Sequence, residues 1–178
     1  MILNNTEMKQ LAGFARQFGT FTGLTWIVSF LLGVYGIGNG LMQLAGVAVG
    51  LFSLYAITIY VKYLRTQVIE HPMNFSSIYG YVTLIFFYGS LLMAAAVWVY
   101  FAFFDHGQLL ISFIDFISLP QNTKALADSG ISAKKFIDVY SQAFAQYGPL
   151  DFAIEIMSTN IIIGIIFGIP VALWFKNR

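Results

Sequence analysis

Four long apolar runs separated by polar links dominate the chain. A helix needs roughly 20 mostly apolar residues to cross the hydrocarbon core of a bilayer. The first run extends from about Phe18 to Ile37 and carries no charge. The second, about Leu41 to Val61, is also uncharged and stops at Lys62 and Arg65. The third, about Ile78 to Phe104, stops at Asp105 and His106. The fourth, about Phe152 to Phe175, stops at Lys176 and Arg178, with Glu155 one turn inside its start. The pattern predicts an all-α integral membrane four-helix bundle, forming a single transmembrane domain over residues 1–178.

The links differ in kind. Gly36 to Gly40 reads as a tight turn, because glycine permits positive φ, so spans one and two form an antiparallel hairpin. In the link from Lys62 to Ser77, Pro72 ends the preceding helix and Asn74 is positioned to cap span three. His71 reads as an exposed loop residue. The link over residues 105–150 is much longer and carries helical signals of its own. Leu109 to Leu119 is too short to span and places Ser112, Asp115 and Ser118 on one narrow polar face, with Pro120 as its stop. Asn122 to Gly130 suggests a short helix. Ser132 can cap another, with a stripe of Phe136, Tyr140, Ala143, Phe144 and Tyr147 that ends at Gly148 and Pro149. Such amphipathic helices suit the membrane surface or the mouth of the bundle.

Composition agrees with the pattern. The chain has 178 residues, 58% hydrophobic and only 10% charged, against about 25% charged in soluble domains; mean hydropathy is +0.76. These values exclude an ordinary soluble enzyme and a disordered chain. A net charge of +1 exerts no strong pull on phosphate backbones, so nucleic acid is not an expected partner. The absence of cysteine removes disulfides, thiolate catalysis, iron–sulfur clusters and a lipoprotein anchor.

The few charges set the orientation. Lys9, Arg16, Lys62, Arg65, Lys176 and Arg178 fall on one side, and Lys124, Lys134 and Lys135 on the other. The positive-inside rule then puts both termini in the cytoplasm of a bacterial cell and the 105–150 link outside the inner membrane. The lead of residues 1–17 is long and polar, and no Ala-x-Ala site follows span one, so that span reads as retained rather than cleaved. Aromatic belts fit the same layout: Tyr60, Tyr63, Tyr79, Tyr81, Trp174 and Phe175 inside, and Tyr35, Trp98, Tyr100, Phe101, Phe103, Phe104 and Phe152 outside. Trp26 falls near mid-span, where it would pack on another helix.

Candidate chemistry is sparse. Asp105, His106, Asp151 and Glu155 fall at one membrane level, the outer interface, and Asp151 and Glu155 share a helix face. Two carboxylates and an imidazole could hold a divalent cation or act as acid and base. Acidic residues also favour helix N-termini for structural reasons. Gly19 and Gly23, Gly46 and Gly50, and Gly164 and Gly168 have the small-xxx-small spacing that lets helices approach closely, within the chain or against a partner. Thr20, Thr22, Thr25 and Asn160 could bond between helices. Pro170 would kink span four. No phosphate-cradling glycine loop, zinc-protease helix motif or serine-hydrolase elbow occurs, and no cofactor or metal is implied.

The order of these features resembles a bacterial membrane family catalogued as domain of unknown function 4199. The local matches are Ile78-Tyr79-Gly80-Tyr81, Phe87-Tyr88-Gly89, the run Tyr100 to Asp105, and Gly164 to Gly168. The resemblance supplies no catalytic residue. It implies a neighbouring polyprenyl-phosphate glycosyltransferase of the membrane and a helper role for that enzyme. Three functions follow as expectations. The first is a non-enzymatic accessory or scaffold subunit, with the bilayer and a membrane protein or a second copy as partners. The second is a small oligomeric transporter or channel, and the third a lipid-active enzyme at the outer acidic site.

Overall fold

A computed structural model describes residues 3–69 and 71–176; Arg178 of the basic set lies outside them. The described residues form seven α-helices, α1 (Asn5–Tyr35), α2 (Gly40–Tyr63), α3 (Phe75–Phe103), α4 (Gln108–Ser118), α5 (Pro120–Asp128), α6 (Ala133–Gln146) and α7 (Pro149–Phe175). The helices α1, α3 and α7, together with α2 and the turn that extends it, are long and apolar enough to cross a membrane. They correspond to the four expected spans, and the architecture is an all-α membrane fold.

Helix ends follow local chemistry. The polar lead is helical from Asn5, because Asn4 and Glu7 form a reciprocal capping box: the Asn4 side chain accepts from the Glu7 N–H and the Glu7 carboxylate from the Asn4 N–H. At 31 residues and about 1.5 Å per residue, α1 is about 46 Å long. That exceeds the roughly 30 Å hydrocarbon core, so its first turns project beyond it. Gly38, at φ +84°, closes the α1–α2 turn and Asn39 caps α2. Past Tyr63, α2 widens into a π-helical turn, Leu64–Val68, which buries Leu64. Asn74 caps α3 through the Ser77 N–H. Pro120 does more than stop α4, since it opens α5 at its first turn. Ser132 caps α6.

α3 is the centre of the molecule. Both α1 and α7 pack on it, while α2 rests on α1 and touches α3 and α7 only marginally. The α1–α3 crossing runs through glycine. A Cβ on Gly19 would stand 2.7 Å from Tyr88 Cβ, and one on Gly23 would stand 2.8 Å from the Gly89 carbonyl oxygen. The α3–α7 crossing is equally close: Gly164 faces Phe86, and Gly168 faces the Tyr79 ring. Gly46 and Gly50 meet Ser29 of α1. All six spaced glycines therefore lie against neighbouring helices of the same chain.

Polar bonds between helices come from other residues than expected. Thr20, Thr22 and Thr25 donate to carbonyls four residues back in their own helix, at Arg16, Phe18 and Phe21, so they make no cross-link. A threonine hydroxyl in a helix reaches its own preceding turn more readily than a neighbouring helix. The interhelical bonds are made instead by Trp26 Nε1 to Ser53 Oγ, 2.8 Å, and by Ser29 Oγ to the Gly46 carbonyl, 2.8 Å. Trp26 also lies on Phe86, centroids 5.3 Å apart, as its mid-span position predicts. Two belt assignments change. Tyr81 is fully buried in the core and Tyr100 is buried as well, whereas Tyr35, Trp98, Phe103, Phe104 and Trp174 are exposed.

Candidate functional site

Three features among the described residues bear on function. The first comprises the acidic residues at the start and end of the α3–α7 connection. Asp105 is buried, with 7% of its surface exposed. Its Oδ1 accepts from the Tyr100 hydroxyl and the Leu109 N–H, and its Oδ2 accepts from the Gly107 N–H, each at 3.0 Å. It thus caps the start of α4 and ties it to α3. Asp151 performs the matching task for α7, its Oδ2 accepting from the Gly148 N–H at 2.8 Å. His106 is exposed at φ +44°. Glu155 is exposed, and shares a shallow cavity with Asp151. Asp105 lines a different cavity. Among the described residues, no three histidine, aspartate or glutamate side chains gather where they could hold a metal ion.

The second feature was not anticipated. His71 is docked rather than free: its Nε2 stands 2.8 Å from Glu7 Oε1, tying the α2–α3 link to the first turn of α1. The sequence signal for this contact was the capping box, which extends α1 far enough to reach the link. The hydrogen bond from the Asn4 backbone holds the Glu7 carboxyl below its ordinary range, and His71 adds to the effect. The hydrogen bond to Glu7 raises the His71 imidazole, helped by the Pro72 carbonyl.

These two shifts define a pH window. The raised His71 contributes fully below its unfolded value near 6.5, and its contribution is lost as pH rises through the folded value. The lowered Glu7 contributes above about 4.5 and loses that contribution as pH falls through its folded value. Amide exchange over residues 5–11 is therefore expected to be slower at pH 6 than at pH 8.5 after correction for intrinsic rates. His71→Gln is expected to abolish the difference.

The third feature is an open side of the bundle. Because α2 rests mainly on α1, a groove of about 460 Å³ is left between α2 and α7, with α1 and α3 as its floor. Trp26, Ser29, Gly50, Met93, Ile163 and Asn160 are among its lining residues. Ser29 is satisfied by Gly46, and Trp26 by Ser53. Asn160 makes no hydrogen bond among the described residues. It lies about 16 Å along α7 from Pro149, at 1.5 Å per residue, well inside the span. The expectation that Asn160 would bond to a neighbouring helix of its own chain is not met.

Comparison with known proteins gives a family and no activity. No curated protein matches the chain, and no solved structure does. The family model described as "Protein of unknown function (DUF4199)" matches residues 17–177. That match takes in all four apolar helices, the glycine crossings of α3 with α1 and α7, and the α4–α6 connection, and on its strength the chain belongs to the DUF4199 family.

Proposed function

We propose that the protein is a non-enzymatic accessory subunit of the bacterial cytoplasmic membrane, one that holds a helix of a second membrane protein in the groove between α2 and α7. The observation that carries this reading is Asn160. An amide inside a bilayer has no water to bond with and must find a protein partner. An acyl chain filling the groove would leave the amide unsatisfied. A helix bearing a polar side chain or an accessible carbonyl at matching depth would satisfy it. The capping duties of Asp105 and Asp151 also favour a binding role over outer-surface catalysis.

In this reading both termini are cytoplasmic. Lys62, Arg65 and Lys176 gather at the inner end, where the Arg65 guanidinium lies 5.8 Å from the Phe175 ring centroid. Residues 105–150 then face outward. The proposed partner is of the class the family resemblance implies, a multi-span glycosyltransferase acting on polyprenyl phosphates. The test is a photoreactive amino acid in place of Leu51, an exposed residue at the lip of the groove, irradiated in native membranes. The expected product is one discrete adduct containing that enzyme. Adducts with lipid alone, or only with a second copy of the chain, would refute the proposal.

A further inference from the structure

A second cavity, at the end of the bundle that carries the α3–α7 connection, has a chemistry of its own. It measures about 240 Å³ and is lined by Phe101, Asp105, Leu110, Phe144, Tyr147 and Phe152, among others. Its walls are aromatic. Phe152 stacks on Phe101 with centroids 4.1 Å apart and an interplanar angle of 14°, and it meets Phe144 and Tyr147, each at 5.3 Å. The residues come from three parts of the fold: the end of α3, the end of α6 and the start of α7. Asp105 stands beside them, buried, with no ion pair among the described residues. Its three hydrogen bonds leave one acceptor position of its carboxylate open, on Oδ2. A buried carboxylate without a counter-ion beside four aromatic rings is an environment that attracts a cation twice, through the charge and through the ring quadrupoles.

We propose that this cavity binds an organic ammonium group, with Asp105 Oδ2 accepting an N–H from it and the four rings enclosing its methylene carbons. The open acceptor position favours a primary ammonium of the ethanolamine class over a quaternary one, which has no N–H to give. Exposed Trp98, Phe103 and Phe104 lie near the same end of α3. That aromatic band marks the level of lipid headgroups, so the group can arrive on a lipid or as a soluble amine. This site is separate from the α2–α7 groove and does not depend on what the groove holds.

The test uses the full chain in nanodiscs and reads retained lipid by native mass spectrometry. An ethanolamine lipid is expected to be retained about tenfold over a glycerol lipid of the same chains, with a choline lipid in between. A second arm titrates free ethanolamine against the glycerol-lipid nanodiscs. Saturable binding in that arm assigns the site to a soluble amine, and preferential retention of the ethanolamine lipid with no binding of free ethanolamine assigns it to the headgroup; either result supports an ammonium site. Phe144→Leu removes one ring without touching a helix cap and is expected to lower the preference several-fold. Asp105→Asn removes the charge while keeping one capping oxygen, and is expected to abolish the preference. If Asp105→Asn fails to fold, Phe144→Leu decides alone. Equal retention of the ethanolamine and glycerol lipids together with no ethanolamine binding would overturn the proposal, as would full retention of the preference in Phe144→Leu.

Discussion

Gly23→Leu is expected to destabilise the fold by about 3 kcal/mol or more, at the upper end of the overpacking range. The reason lies in what surrounds the position. A Cβ there would come within 2.8 Å of the Gly89 carbonyl oxygen and 3.1 Å of Leu92 Cβ. Backbone cannot rotate away as a side-chain tip can, so α1 and α3 must separate along the whole crossing. Separation also loosens Gly19 against Tyr88 and Ile85, and it pulls Trp26 off Phe86. A Cβ on Gly33, on the same helix, would meet nothing within 4 Å, and the stability of Gly33→Leu is expected to stay close to that of the parent. Unfolding midpoints in mixed micelles, measured for both variants in parallel, check the contrast. Equal midpoints would mean that the α1–α3 crossing is not as close as described.

Phe86→Ala is expected to cost about 3 kcal/mol, the lower end for a buried phenylalanine. Its ring is fully buried and sits where three long helices meet: Trp26 of α1 at 5.3 Å, Phe167 of α7 at 6.0 Å, and Gly164 directly beneath it. No neighbour is free to fill the space, because Gly164 has no side chain and Trp26 is held by its bond to Ser53. Lipid is as apolar as the core, so the lost term is close packing rather than the hydrophobic effect. The same unfolding titration checks this, with Phe87→Ala as a control, since Phe87 is exposed. A cost for Phe86→Ala no greater than that of the control would contradict the packing described.

The number and type of the membrane helices were legible in the sequence, since each rests on local signals such as an apolar run, the Asn74 cap and the glycine turn at Gly36–Gly40. Non-local features were not. The seventeen residues before Phe18 look like a polar tail until Asn4 and Glu7 are recognised as a capping box, and the docking of His71 follows only once α1 reaches that far. Tyr81 looks like a belt residue because a tyrosine near a span end usually is one. Only the packing order, with α3 at the centre, puts it inside. Asp105 and His106 follow α3, and Asp151 and Glu155 open α7, as the order of spans implies. The helix-end role of Asp105 and Asp151 follows the preference of acidic residues for helix N-termini, but the sequence could not reveal that the aromatic stripe of α6 would meet Phe152 beside Asp105. The open side of the bundle was equally hidden, because nothing in an apolar run says which neighbour it will lean on.

The groove between α2 and α7 is the centre of the functional account, and Asn160 is the residue that makes it specific. The most direct test compares cross-linking from position 51 in native membranes with and without Asn160→Leu. A hydrogen bond between helices in lipid contributes about 1–2 kcal/mol, which corresponds to roughly 5- to 30-fold in binding. The discrete adduct with the multi-span partner is expected to form in the parent and to fall about tenfold in Asn160→Leu, with protein level and helix content unchanged. An adduct of equal yield in both would show that the amide recognises nothing, and a parent that reacts with lipid alone would show that no helix occupies the groove.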